Sequence, residues 1–175
     1  MSNLAERVRE KVVSYPDWPK AGVVFADLSP VYADAELRRE MAIHFSTIVV
    51  NHGVEVVAAV ESRGYLLGMS IADDLRLPFI QIRKAGKLPG DVVKTAYSLE
   101  YGLAEVEVQL SAFPEGARVL LVDDVLATGG TMKAAWELVE LAKATVVSVV
   151  VIGEIGGLDG RDQLPGLTVT SLLQL

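Results

Sequence analysis

Three stretches of this chain are almost wholly apolar and short: Val54 to Val60, Val119 to Val122 and Thr145 to Ile152. None approaches the ~20 residues that span a bilayer. None shows the every-second-residue polarity of a strand with one wet face. Strands buried on both faces belong to parallel sheets covered by helices. The segments after these strands agree. Val60 leads into a turn at Glu61-Ser62-Arg63-Gly64, a helical pattern from Tyr65 to Leu75 and a second strand from Pro78 to Ile82. Arg118 to Asp124, a Gly-rich turn, Lys133 to Lys143 and Thr145 to Ile152 repeat the scheme. Two such units predict an α/β fold, a twisted parallel β-sheet flanked by helices.

The remaining segments fill in around this core. Leu4, Val8 and Val12 recur at helical spacing. Ser14 to Lys20 holds Pro16 and Pro19 and is expected to be irregular, with a short extended piece at Val23-Val24-Phe25. Pro30 is expected to break the chain, and Asp34 to cap a helix running to about Asn51 with Leu37, Met41, Phe45 and Ile48 inward. Lys84 to Val93, with two Gly and one Pro, reads as a mobile loop. Ala104 to Leu110 alternates strictly, as does a strand with one wet face. No linker or repeat interrupts the 175 residues, which suit one domain.

Composition excludes several function classes. Sixteen Lys and Arg against 23 Asp and Glu leave a net charge of −7, so the chain lacks the basic surface that a nucleic-acid polymer requires. With 51% hydrophobic residues it is not a disordered chain. The lack of cysteine removes disulfides, thiolate metal sites and thiol nucleophiles. The charged N-terminal residues Glu6, Arg7, Arg9, Glu10 and Lys11 leave no apolar signal core, and the expectation is a soluble cytoplasmic protein with no membrane partner. His44 and His52 receive no role. The basic cluster Arg83, Lys84 and Lys87 stands out in so acidic a chain.

The stretch richest in chemistry runs from Val119 to Met132. A buried strand ends in Asp123-Asp124, and the small-residue turn Ala127-Thr128-Gly129-Gly130-Thr131 opens a helix. Ligands of open α/β sheets gather at the carboxyl ends of strands. Unobstructed backbone N–H groups and a helix N-terminus make an anion cradle there, to which Thr128 and Thr131 add hydroxyl donors. Two carboxylates facing a phosphate would repel it. They make sense facing ribose hydroxyls, which a carboxylate accepts well, or a magnesium ion held partly by substrate and water. A ligand with a phosphate at one end and a diol a few ångströms away is a ribose 5-phosphate. No Gly-Lys-Ser/Thr comes after the turn, so this is not a Walker loop, and no Gly-x-Gly-x-x-Gly marks a dinucleotide fold.

Asp123 to Thr131 resembles the phosphoribosyl-diphosphate signature of type I phosphoribosyltransferases. Tyr15-Pro16-Asp17-Trp18-Pro19, Gly22-Val23-Val24-Phe25, Ser62-Arg63-Gly64, Ile82 to Gly90, Tyr97-Ser98-Leu99-Glu100-Tyr101-Gly102 and Gly160-Arg161 extend the likeness in collinear order. Arg-Lys-x-Gly-Lys-Leu-Pro-Gly and Tyr-Ser-Leu-Glu-Tyr-Gly are similar to the adenine branch. The resemblance implies a parallel core sheet, a small hood built from N- and C-terminal segments, and a flap over about residues 83–101. It implies transfer of adenine to 5-phospho-α-D-ribose 1-diphosphate, giving AMP and diphosphate in purine salvage, with Mg²⁺ as cofactor and a homodimer as the assembly.

The resemblance also implies roles. Arg63, Arg83, Lys84 and Lys87 would hold the diphosphate, and the cradle from Ala127 to Thr131 the 5-phosphate. Asp123 and Asp124 would face the ribose and, mainly through substrate and water, Mg²⁺. Glu100 would be a proton donor near the purine N7, and Tyr101 would contact the site by hydroxyl or by packing. Phe25 would stack on the base or belong to the core, with backbone groups of Val24 and Ala26 reading the base edge. Ala26 stands where the family usually has arginine, and Glu61 where aspartate is common. A transferase for another purine base, or a non-catalytic sensor of phosphoribosyl diphosphate, are the competing readings.

Overall fold

The structure, a computed structural model, describes residues 3–99 and 102–175. Helix α1 (Leu4–Lys11) begins with a reciprocal cap: Asn3 accepts the Glu6 N–H, and the Glu6 carboxylate accepts the Asn3 N–H. Strands β1 (Val13–Pro16) and β2 (Val24–Asp27) pair antiparallel as a two-stranded sheet of their own. The expected irregular segment from Ser14 is thus a strand as far as Pro16, because Ser14 and Tyr15 pair with Ala26 and Phe25 across the hairpin. Nor does Pro30 break the chain. It sits in the first turn of the short helix α2 (Ser29–Ala33), where a missing N–H costs nothing. Asp34 then caps α3 (Ala35–Val49), accepting the Leu37 N–H at 3.1 Å, and Leu37, Met41 and Phe45 are buried as expected.

The main sheet contains β3 (Val56–Val60), β4 (Phe79–Lys84), β5 (Val92–Leu99), β6 (Gly102–Gln109), β7 (Arg118–Val122), β8 (Val125–Leu126), β9 (Thr145–Glu154) and β10 (Val169–Gln174). Its order is β10-β9-β7-β3-β4-β6-β5, with β8 also paired to β9. The five strands from β10 to β4 are mutually parallel. Past β4 the sheet becomes antiparallel, so the expected parallel sheet is mixed. Helix α4 (Gly64–Leu75) links β3 to β4, and α5 (Gly130–Leu141) links β7 to β9. The helix expected from Lys133 therefore starts one turn earlier, at Gly130.

Strand alternation divides the core. Val56, Ala58 and Val60 of β3, Val119 and Leu121 of β7, and Val149 and Val151 of β9 pack on the α5 side with Met132, Ala135 and Leu138. Val57, Ala59, Leu120, Val122, Val150 and Ile152 pack on the other side with Phe45, Leu67 and Ile71. Both faces of these strands are covered, which is why their sequences carry no polar alternation.

Two further expectations change. The loop expected over Lys84 to Val93 is shorter, since Lys84 pairs with Val106 and Val92 already pairs with Gln109. The alternation from Ala104 to Leu110 does lie on a strand, but Glu107 is not on a wet face: it is 1% exposed. The C-terminal strand β10 is an edge of the main sheet, and the strands of the N-terminal hairpin form a separate sheet. Among the described residues no helix is long and apolar enough to cross a membrane.

One consequence of the strand order locates the site. From β3 the chain moves through α4 to β4 on one side, and from β7 it moves through α5 to β9 on the other. The direction of winding reverses between the neighbours β3 and β7. A crevice opens outside the carboxyl ends of strands at such a switch point, and ligands bind there.

Candidate active site

At the end of β7 the backbone of the acidic pair is pinned by β9. The Asp124 carbonyl accepts the N–H groups of Ile152 and Gly153 at 2.9 and 3.1 Å. Asp123 turns its Oδ1 back to accept the Asp124 N–H at 2.8 Å. Burial, followed by the charge of Asp124, holds the Asp123 carboxyl well above the ordinary range for aspartate. Asp124 is 3% exposed. Burial raises its pKa as well, against the pull of Arg63.

Arg63 precedes α4 at the end of β3. Its Nε lies 2.7 Å from Asp124 Oδ2, but that buried oxygen accepts no hydrogen bond, so the contact is one of charge proximity. The approach depends on Gly64. A Cβ there would lie 2.9 Å from Asp123 Oδ1 and 3.0 Å from the Val122 carbonyl oxygen, too close for any other residue without a shift.

Beyond the pair, residues Val125 to Met132 together with Asp123 line a concavity of about 80 Å³. Gly129 takes φ +82°, outside the range natural to other residues, and α5 begins at the next residue. The cradle is braced from behind. A Cβ on Gly129 would overlap the Gly160 carbonyl oxygen, and a Cβ on Gly160 would overlap the Ala127 carbonyl oxygen. The brace is itself fixed: Arg161 donates to both Glu154 oxygens at 2.7 and 2.6 Å and to the Val169 carbonyl at 2.9 Å.

The hairpin brings Phe25 to the same crevice. Its ring meets Trp18 edge-on at 4.4 Å, and the Arg63 guanidinium lies 5.3 Å from its centroid. Phe25 is half-buried and belongs to neither apolar core. Val24 is exposed, and Ala26 pairs with Ser14 in the hairpin.

The basic cluster stands at the end of β4, next to β3. Glu61 Oε2 accepts from Arg83 Nε at 3.2 Å and from the Lys84 N–H at 3.0 Å. Burial raises the Glu61 carboxyl, but these two donors hold it below its ordinary value. Lys84 and Lys87 are exposed and have no carboxylate within ion-pair distance among the described residues. Glu100 and Tyr101 lie outside the described residues.

Four residues around the crevice carry no role in the sequence reading. Trp18 is one, though Trp-Pro in a turn beside an aromatic strand is a fair signal of a stacking wall. Tyr32 places its hydroxyl 3.5 Å from the Arg63 carbonyl oxygen, and nothing local announces that contact. Glu107 and Gly160 depend on distant segments folding against them.

Among the described residues no three His, Cys, Asp or Glu side chains converge as a cage for a metal ion. Asp123 and Asp124 fit magnesium in the other manner, one or two carboxylates completed by substrate oxygens and water. Asp124 Oδ2, though beside Arg63, accepts no hydrogen bond, and burial raises both carboxyls, so a cation close to them would favour their ionised forms.

Comparison with known proteins bears on this geometry directly. The family model described as phosphoribosyl transferase domain matches residues 33–163. Adenine phosphoribosyltransferase of Homo sapiens is 45% identical over 170 residues, covering 95% of this chain and 94% of that one. The crystal structure of adenine phosphoribosyltransferase from Thermoanaerobacter pseudethanolicus superimposes with a TM-score of 0.94 at 37% identity, covering 98% of this chain and 99% of the other. The Saccharomyces cerevisiae enzyme, solved with an iminoaltritol bisphosphate and adenine, gives a TM-score of 0.93 at 34% identity over 97% of this chain and 98% of its own. The identity, over 95% of the chain, and the superposition agree: this chain belongs to the adenine phosphoribosyltransferases of the type I phosphoribosyltransferase family.

Proposed function

We propose that this chain joins adenine to C1 of 5-phospho-α-D-ribose 1-diphosphate, releasing diphosphate and forming AMP, a purine-salvage reaction. The observation that carries the reading is the shared pocket of Asp123 with the Ala127-to-Thr131 turn, which sets a carboxylate beside an anion cradle. A phosphate in the cradle leaves the ribose diol at the carboxylates, so the sugar is held at both ends. Fixing both ends turns an encounter into a positioned reaction.

As the C1–O bond breaks, positive charge grows on the ribose and negative charge on the leaving diphosphate. Asp123 and Asp124 offset the first. Arg63, Arg83, Lys84 and Lys87 neutralise the second, arginine by its fork and lysine as a point charge. Mg²⁺, when held by Asp123 and Asp124 with substrate oxygens, supplies Lewis-acid stabilisation and a template for the diphosphate. Phe25 stacks on the base, and the backbone of Val24 and Ala26 reads its edge. Glu100 donates a proton at N7, a role that demands a carboxyl kept protonated by its surroundings. Tyr101 adds a contact by hydroxyl or packing. A flap over about residues 83–101 excludes water, which would otherwise hydrolyse the activated sugar. The chain acts as one domain, as a homodimer in the cytoplasm.

The test is turnover of adenine, hypoxanthine and guanine with Mg²⁺ and phosphoribosyl diphosphate. The expected outcome is AMP formation much faster than that of the other nucleotides. Equal turnover of another purine overturns the base, and no turnover of any base favours the sensor.

A further inference from the structure

Glu107 is the conspicuous group that the reaction does not use. On β6 it stands opposite Arg83 of β4 and opposite Lys94 of β5. Its strand neighbours in the same alternation, Glu105 and Gln109, are exposed, whereas Glu107 is 1% exposed. An ionised carboxylate removed from water is costly unless charge and hydrogen bonds compensate it. Here they do. Oε1 accepts the Lys87 N–H at 2.7 Å and the Leu88 N–H at 2.8 Å, and Lys94 Nζ lies 3.5 Å from Oε2.

The cover over Glu107 is the turn that carries the basic cluster. That turn is stitched at its edges: Ala85 donates to the Glu105 carbonyl at 3.0 Å, Leu110 to the Asp91 carbonyl at 2.9 Å, and the Gln109 side chain to the Pro89 carbonyl at 3.1 Å. Glu107 is the acceptor at its centre. Arg83 Nη1 reaches the Lys87 carbonyl at 3.4 Å, so the peptide that Glu107 holds at Lys87 also sits against the arginine. A carboxylate spent on backbone N–H groups fixes the turn without neutralising the lysine side chains it presents.

We infer that Glu107 is a positioning residue for diphosphate: its buried carboxylate sets the Arg83-to-Leu88 turn so that Arg83, Lys84 and Lys87 converge on the anion. The inference rests on the diphosphate role proposed for those cations.

The experiment measures diphosphate binding with Mg²⁺ by calorimetry, and steady-state KM for each substrate, in wild type, Glu107→Ala, Glu107→Gln and the exposed neighbour Glu105→Gln. Loss of hydrogen bonds to a charged acceptor predicts that Glu107→Ala weakens diphosphate about tenfold and raises the KM for phosphoribosyl diphosphate alike, with adenine KM unchanged. Glu107→Gln keeps an oxygen for the two N–H groups and recovers most of the loss. Glu105→Gln matches wild type. Trypsin cleavage after Lys84 or Lys87 accelerates in the alanine variant. A purely structural role would lower the melting temperature while moving both KM values together or neither, and that result overturns the inference. So does a glutamine variant as impaired as alanine. Should Glu107→Ala not fold, the glutamine and Glu107→Asp variants decide, since wild-type diphosphate affinity and wild-type trypsin resistance in both, or equal loss for both substrates, overturn it. If wild type binds diphosphate but forms a nucleotide from no base, the functional reading fails while the binding comparison still stands.

Discussion

Gly160→Ala probes the brace behind the phosphate cradle. Gly160 has no positive φ, so alanine meets no backbone penalty, and the effect is steric alone. The added methyl overlaps the Ala127 carbonyl oxygen and lies 3.0 Å from Leu126 Cγ and 3.2 Å from the Ala127 carbonyl carbon. One side must yield by roughly an ångström to reach ordinary contact. The Gly160 side is held by the two-pronged Arg161–Glu154 pair and by the Arg161 bond to Val169. The exposed turn around Thr128 is less constrained, so the cradle moves. Overpacking of this kind costs ~1–3 kcal/mol, which in a chain of this size lowers the melting temperature by about 2–12 °C. A misplacement of ~1 Å at a positioned phosphate costs about 100-fold in kcat/KM. The assay pairs thermal unfolding with kcat/KM for phosphoribosyl diphosphate. Gly156→Ala is the control, because its methyl would find only the Leu175 carbonyl oxygen at an ordinary 3.7 Å. A lowered melting temperature with unchanged kinetics would refute the transmission from brace to cradle. No change in either would refute the contact.

Asp123→Asn trades function for stability. Its folded pKa is raised above 3.8, so the stability it contributes is full below that pH and is lost as the pH rises through the folded value. The amide keeps the oxygen that accepts the Asp124 N–H and removes the repulsion with Asp124. Its melting temperature should exceed wild type at pH 7, by about 2–4 °C for each ~1 kcal/mol relieved, and the gain should vanish as the pH falls toward 3.8, while turnover drops. A variant less stable than wild type at pH 7 contradicts the assigned repulsion. Phe25→Leu should raise the KM for adenine several-fold, in line with a stacking contact worth ~0.5–1.5 kcal/mol, and leave the KM for phosphoribosyl diphosphate unchanged. Because Phe25 lies in neither apolar core, a large loss of stability would instead return it to a packing role.

How far the chain could be read depends on where each feature's cause lies. Val56 to Val60 and Val119 to Val122 were legible because burial on both faces is written into every one of these residues. The acidic pair and the Gly129-Gly130 turn were legible for a related reason: strand, carboxylates, small residues and helix are contiguous, so one short stretch contains most of a ligand's environment. The antiparallel wing was harder. Whether Lys84 is loop or strand depends on its pairing with Val106, 22 positions away, and no local preference encodes that partner. Glu105 and Glu107 make the point most sharply. They are the same residue in the same alternation, yet one is exposed and the other buried, and the difference is the 85–91 turn folding over one of them. The Lys87 and Leu88 N–H groups under that cover require an acceptor, and a carboxylate at a neighbouring strand position is a strong one. Strict polar alternation beside a Gly- and Pro-rich turn therefore carries two readings, a wet face or an acceptor for the turn. Gly160-Arg161 obeys the same logic from the other end of the chain. Its glycine has no turn geometry to justify it and its arginine no neighbouring acid in sequence that pairs with it, and both are explained once the segment is seen against Ala127 and Glu154.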